Sequence, residues 1–194
     1  MLAIPRERFL PPEQAGFAYL DLDIPVATVG SSRPVRCMLK PMVLAKLIQA
    51  AEIEDGDRVL DVGCATGYST AVLARLARKV VALEEDPRLA ELANASLRAL
   101  GESQAQVVTG PLAEGWPPQA PYDVIVVNGA FEIVPRTLLR QLREGGRLVG
   151  VLGCGPAGKA MLYCSVGGEF SGRPIFDATA PPLPGFAKPP AFVF

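Results

Sequence analysis

The sequence contains no histidine. That absence excludes Ser-His-Asp and Cys-His catalysis, and with them the histidine-bearing zinc sites, because all of these need an imidazole. Cysteine is scarce: Cys37, Cys64, Cys154 and Cys164 form no CxxC pair and no metal-ligand spacing. A disulfide framework and a structural metal are therefore disfavoured, and reduced thiols in a reducing compartment are the natural reading. Neither sign of charge prevails, since 19 Lys and Arg meet 20 Asp and Glu for a formal net charge of -1. A polycation that seeks nucleic acid is excluded by that balance. Long apolar runs are missing too. Stretches such as Val124 to Val127 have the length of a strand and are far too short to span a bilayer. The opening MLAIPRERF lacks the apolar core of a secretion signal. Together these absences point to a cytoplasmic protein with no membrane and no nucleic-acid partner.

What is present suits one folded domain. At 194 residues with 49% hydrophobic side chains, the chain is long enough to close a hydrophobic core. Residues 1–40 read as an irregular N-terminal arm, because Pro5, Pro11, Pro12, Pro25 and Pro34 prevent a long helix. From Pro41, Leu44, Leu47, Ile48 and Ala51 recur at helical spacing, and Asp55-Gly56 is expected to end that helix. Apolar strands at Val59–Val62, Val80–Leu83, Gln106–Val108, Val124–Val127 and Arg147–Leu152 then alternate with amphipathic helices, including one capped by Gly101 and one opening at Pro135. Strands that are apolar throughout and separated by such helices predict a mostly parallel sheet covered on both faces. The class is α/β: a Rossmann-like, doubly wound sheet in three α/β/α layers. Residues 41–153 form its cofactor-binding core. Residues 154–194 supply an antiparallel C-terminal edge, from Ala160–Val166 and Arg173–Ala178 joined by GGEFSG, and a proline-rich tail over the surface.

The stretch RVLDVGCATGYSTAVLARLA, Arg58 to Ala77, reads as a buried strand that breaks at glycine and re-enters as a helix. In a doubly wound sheet this turn cradles the ligand. The dinucleotide fingerprint GxGxxG would place glycine at positions 65 and 68, where Ala65 and Tyr68 stand, so a pyrophosphate and a nicotinamide cofactor fit poorly. Asp61 two places before Gly63, with Gly67 beyond, matches instead the DxGxxxG form of methyltransferases that use S-adenosylmethionine. That ligand carries an ammonium and a sulfonium in place of phosphates, so a carboxylate near the turn makes electrostatic sense. Glu84 ends the next strand about twenty residues on, where a carboxylate accepts ribose hydroxyls. The cofactor-binding candidates are Asp61, Gly63, Cys64, Ala65, Gly67, Tyr68, Glu84, Glu85, Gly110, Pro111, Leu112 and Asn128. Taken singly, each has a plainer reading, as a tight-turn glycine or a solvated strand-end charge. Their order along the chain favours a cofactor site. Asn128, at the end of the fourth strand, is a candidate to orient a substrate carboxylate through its amide or to cap the next loop. The Asn-Pro-Pro-aromatic segment of DNA amino-methyltransferases is absent there.

These segments carry a wider resemblance. PRERFLPPE, VLDVGCATGYSTAVLA, VVALEED, EGWPPQAPYDVIVVNGA, EGGRLVGVLG and ATAPPLPGF occur in the order and spacing of the protein-L-isoaspartate O-methyltransferase family. The family usually carries a further helix ahead of the first of them. The resemblance implies methyl transfer from S-adenosylmethionine to isoaspartyl residues of damaged proteins, after which the ester collapses to a succinimide and returns some normal aspartate. It sets Asp61, Gly63 and Gly67 at the methionine end of the cofactor and Glu84 at its ribose. A carboxylate acceptor, with a pKa near ~4, is already ionised at neutral pH, so this chemistry needs no general base and agrees with the missing histidine.

Two positions depart from the family. Its motif before the first core helix reads approximately G-x-T-I-S-x-P, and the serine helps to hold the substrate carboxylate; VGSSRPVRCMLKP has Leu39 at that place. Ser31, Ser32, Arg33 and Arg36 are the candidates to hold the carboxylate instead, the arginines by a bidentate grip. After the third strand the family has GDG, whose aspartate meets the adenine amino group; here TGPLAEGW places Pro111 there. Weaker cofactor binding or a shifted adenine pocket is expected. The departures keep two further readings open: a divergent methyltransferase with another carboxylate or small-molecule acceptor, and a cofactor-binding or inactive scaffold.

Overall fold

A computed structural model describes residues 3–26 and 36–188. Two short strands, β1 (Ile24–Pro25) and β2 (Cys37–Met38), pair antiparallel in the N-terminal arm, ahead of helix α1 (Pro41–Ala50). The main sheet follows: β3 (Arg58–Val62), α2 (Tyr68–Ala74), β4 (Lys79–Glu84), α3 (Pro87–Ala99), β5 (Ala105–Thr109), β6 (Tyr122–Phe131), α4 (Arg136–Leu139), β7 (Leu142–Leu152), β8 (Lys159–Val166) and β9 (Glu169–Asp177). Strand order is β5-β4-β3-β6-β7-β8-β9, with the first five parallel and the last two antiparallel. The α/β doubly wound class and its antiparallel edge are therefore as the sequence indicates.

The chain leaves β3 outward to β4 and β5, then returns to the opposite side of β3 as β6. This reversal is the switch point, and in doubly wound sheets ligands bind beyond the carboxyl ends of the strands on either side of it. The two faces of the sheet are unequally covered. Val59, Val80, Val124 and Val149 pack with residues of α1, α2 and α3 on one face. Leu60, Val81, Ile125 and Leu148 pack on the other with Leu112, the four-residue α4, and Leu183 and Phe186 of the tail. Pro117 and Pro118 stand in a 3-10 turn between β5 and β6. Proline lacks the N–H that a longer helix there requires, so the third layer is thin.

Four expectations shift in detail. Helix α1 ends at Ala50, before Asp55-Gly56, and Glu52 takes a left-handed φ of +46°. Strand β9 begins at Glu169, so the hairpin turn uses only Gly167 and Gly168, both with positive φ. Strand β6 runs past Asn128 to Phe131, with its pairing to β7 shifted between Val126 and Ala130. The tail does more than cover the surface: Pro181 and Leu183 bond the backbone of Ala130 on the sheet, and Leu183 is buried. Gly101 follows α3 at φ +73°, as its capping role requires. No helix among the described residues is long and apolar enough to cross a membrane.

Candidate cofactor site

Parallel pairing puts Asp61 of β3 between Ala82 of β4 and Val126 of β6, inside the sheet rather than at its rim. Two places on, the amides of Gly63 and Cys64 donate to the Leu83 carbonyl, and the chain turns through left-handed conformations at Gly63 (φ +78°), Ala65 (φ +51°) and Gly67 (φ +94°). Ala65 bears the small steric cost that glycine avoids, roughly 1–2 kcal/mol. Its amide is thereby aimed at Glu84 Oε2, 2.8 Å away. Gly67 caps α2 and lets α3 approach, since a Cβ there would lie 3.1 Å from Ala93 Cβ.

Asp61 is fully buried and ringed by neutral donors. Ser69 Oγ and Thr70 Oγ1 donate to its Oδ2 at 2.8 and 2.6 Å, and Asn128 Nδ2 donates to its Oδ1. Burial pushes its pKa up to about 6 against those three bonds, with nearby Glu84 adding to the rise. An ionised carboxylate only accepts, so Asn128 must turn its NH2 toward Asp61. Its Oδ1 is left buried and, among the described residues, without a partner. The expectation that the Asn128 amide grips a substrate carboxylate is thus narrowed: one N–H is given to Asp61, and an acceptor oxygen faces away from it.

Glu84 is equally buried. Its Oε1 accepts from the amides of Glu85 and Asp86 at 2.9 and 3.2 Å, and its Oε2 from Ala65. Arg36 closes the set, with Nη2 at 2.9 Å from Oε2 and Nε at 3.3 Å from Oε1. Arg36 therefore holds a carboxylate of its own chain, which corrects its expected place on the substrate. The other carboxylate candidates, Ser31, Ser32 and Arg33, lie outside the described residues.

Above the turn the space is tight. Leu39, Leu44, Gly63, Cys64, Ser69 and Asn128 help to line a cavity of about 10 Å³, enough for one water. Leu39 presents an apolar side chain to it. Cys64 is buried beside Asp61 and Glu84, and burial first, then these charges, hold its thiol well above the usual range and so protonated. Tyr68 carries the Arg6 guanidinium 4.6 Å over its ring and meets Phe9 edge-on at 5.5 Å. Arg6 is itself buried, donating to the carbonyls of Ala18 and Leu39, so the PRERF segment is pinned to the cradle. Gly110 lies near Trp116 and Leu83, Leu112 is buried beneath, Pro111 is exposed and Glu85 is half-buried.

Sequence reasoning missed Ser69, Thr70, Arg6 and Leu183. A buried strand carboxylate must find donors, and the first turn of the following helix was the place to look for two of them. The other two come from the chain's far ends, and no local spacing reveals them.

The switch-point crevice, the glycine turn and the two strand carboxylates define a Rossmann-like fold of the methyltransferase kind. A solved protein-L-isoaspartate O-methyltransferase matches 95% of this chain and 59% of its own at a TM-score of 0.81 and 27% identity. A second solved structure, from Plasmodium falciparum and in complex with S-adenosyl-L-homocysteine, shares the fold at a TM-score of 0.72 with 16% identity, over 92% of this chain and 85% of its own. The family model for protein-L-isoaspartate(D-aspartate) O-methyltransferase matches residues 1–163, and the chain belongs to that family. Curated relatives include protein-L-isoaspartate O-methyltransferase 1 of Rhodopseudomonas palustris strain HaA2, 38% identical over 84% of this chain and 64% of the relative. The Ignicoccus hospitalis protein-L-isoaspartate O-methyltransferase is 40% identical over 77% of this chain and 69% of its own. The chain thus spans less than two thirds of the first relative's length.

Proposed function

We propose that this protein transfers a methyl group from S-adenosylmethionine to the free carboxylate of isoaspartyl residues in damaged proteins. The observation that carries the proposal is the pair of buried carboxylates, Asp61 and Glu84, that flank a glycine turn at the sheet's switch point in a chain of this family. The donor chemistry of these residues suits the cofactor. Glu84 is a carboxylate acceptor for a ribose hydroxyl, and the Asn128 Oδ1 left unpartnered among the described residues is an acceptor for an ammonium. Asp61 acts through Asn128 as a positioning residue, because both its oxygens are engaged within the chain. Bound S-adenosylmethionine would supply a sulfonium methyl as electrophile. The protein's part is to align an already ionised acceptor and to keep water away, for which the apolar Leu39 and Leu44 are suited. No residue has to take a proton. On the cysteine pattern we place the reaction in the cytoplasm, with isoaspartyl proteins or peptides as partners.

Leu39 favours a second reading, in which the acceptor is another carboxylate, because the family's substrate-holding hydroxyl is missing from the cavity wall. Labelled methyl transfer to an isoaspartyl peptide separates the two, with the matching aspartyl peptide as control and base-labile methanol as readout. Label released only from the isoaspartyl peptide is expected. Label on neither peptide, from a protein that binds S-adenosylhomocysteine, would move the acceptor elsewhere.

A further inference from the structure

The carboxylate suited to a ribose is already in use. Glu84 accepts three backbone N–H groups and two guanidinium N–H groups, five donors on a carboxylate that offers about four lone-pair sites. No capacity remains for a ribose hydroxyl, and loss of the two guanidinium donors would free about one site. The ion pair is dry, with its side chains 7% and 0% exposed. The same guanidinium also covers the cradle: a Cβ on Gly63 would lie 2.8 Å from Arg36 Nη2 and 3.3 Å from Leu183 Cδ2. The bare face of this glycine, which would admit a ligand, faces the chain's own arginine.

The three backbone donors are fixed by the turn and the start of α3, whereas Arg36, among the described residues, is anchored by a short pairing. It adjoins a two-residue ladder, Ile24 with Met38 and Pro25 with Cys37, and its carbonyl accepts from Val26 N–H at 2.8 Å. A pairing this short opens at low cost compared with the seven-stranded sheet. Of the five donors, the two on Arg36 are the ones that can leave.

We propose that Arg36 is an intramolecular competitor of the cofactor, a latch on Glu84 that must release before the ribose of S-adenosylmethionine is held. The inference rests on reading this site as the cofactor's. It has a signature opposite to that of a contact residue: removing Arg36 strengthens binding, because the free energy spent on breaking a buried bidentate pair is no longer charged against the ligand.

The test is calorimetric titration with S-adenosylhomocysteine of the unaltered protein, Arg36→Gln, Arg36→Lys, Glu84→Gln and the Arg36→Gln/Glu84→Gln double variant. Arg36→Gln is expected to bind at least about ten-fold tighter, equivalent to ~1.4 kcal/mol. Arg36→Lys should fall between, since lysine keeps the charge and loses the fork. The gain should vanish when Glu84 is also replaced. Equal or weaker binding by Arg36→Gln overturns the latch. A second readout uses the unaltered protein and stands even if variants misfold: the Arg36 Nε–H resonance, assigned by through-bond correlation to its own side-chain carbons. It should pass from protected to rapidly exchanging as S-adenosylhomocysteine saturates the site, and a signal that stays protected at saturation contradicts the proposal. Binding by neither the unaltered protein nor any folded variant would show instead that the cofactor reading has failed, and the latch with it.

Discussion

Asp61 sits in the central strand with three neutral donors around it and a pKa pushed up to about 6 by burial, from 3.8 for the free side chain. The folded state therefore binds its proton more tightly than the unfolded chain does. Its contribution to stability is fully present below pH about 4 and is lost as pH rises through about 6, a change of about 3 kcal/mol across that window. Asp61→Asn should lack this component, so denaturant midpoints at pH 4.5 and 7 should differ less in the variant than in the unaltered protein. Equal pH dependence would show that the carboxyl is not perturbed. Asn128→Ala removes a donor from a buried carboxylate and should cost about 1–3 kcal/mol in urea unfolding. If the Asn128 oxygen holds an ammonium, affinity for S-adenosylhomocysteine should fall in the same variant. The sequence marks Asp61 as part of a cofactor turn by its spacing to Gly63. It could not show that Asn128 meets Asp61, because the two are 67 residues apart and are joined only by the β3-β6 pairing.

At the scale of elements, the strand-turn-helix was the most legible part of the chain. Glycines and a strand of uninterrupted apolar residues leave few alternatives. Gly67 shows why the turn tolerates little change: an alanine there would adopt φ +94° and bring its Cβ within 3.2 Å of the Ala93 backbone. Gly67→Ala should destabilise the fold by about 2–4 kcal/mol, read from urea unfolding, as backbone strain and overpacking add. The tail was the least legible element. PPLPGF reads as a surface loop, yet Pro181 O accepts from Ala130 N–H at 2.8 Å and Leu183 N–H donates to Ala130 O at 2.9 Å, which seats Leu183 beside Gly63. A proline-rich segment carries no periodicity to announce such a contact. Leu183→Ala should cost about 2–3 kcal/mol in stability. It should also alter S-adenosylhomocysteine affinity, whereas a leucine packed away from the site would change stability alone.

For the whole molecule, alternation of apolar strands and amphipathic helices foretells the α/β class and the antiparallel edge, because both follow from local periodicity. The thin second face was not foreseen. It is covered by short turns and by a tail that begins about fifty residues after β6 ends. The PRERF segment closes over the opposite face through buried Arg6, so both ends of the chain converge on one glycine turn. Convergence of distant segments on the switch point is what the proposed reaction would need, since it would have to shield a sulfonium methyl from water while admitting a peptide. The most direct measurement is chromatographic separation of an isoaspartyl peptide from its aspartyl isomer after incubation with this protein and S-adenosylmethionine at neutral pH. The expected result is growth of the aspartyl peptide at the expense of the isoaspartyl one, only when both protein and cofactor are present. An isoaspartyl peak that persists unchanged, beside a protein that is folded and loaded with cofactor, would contradict the assignment of this site to isoaspartate methylation.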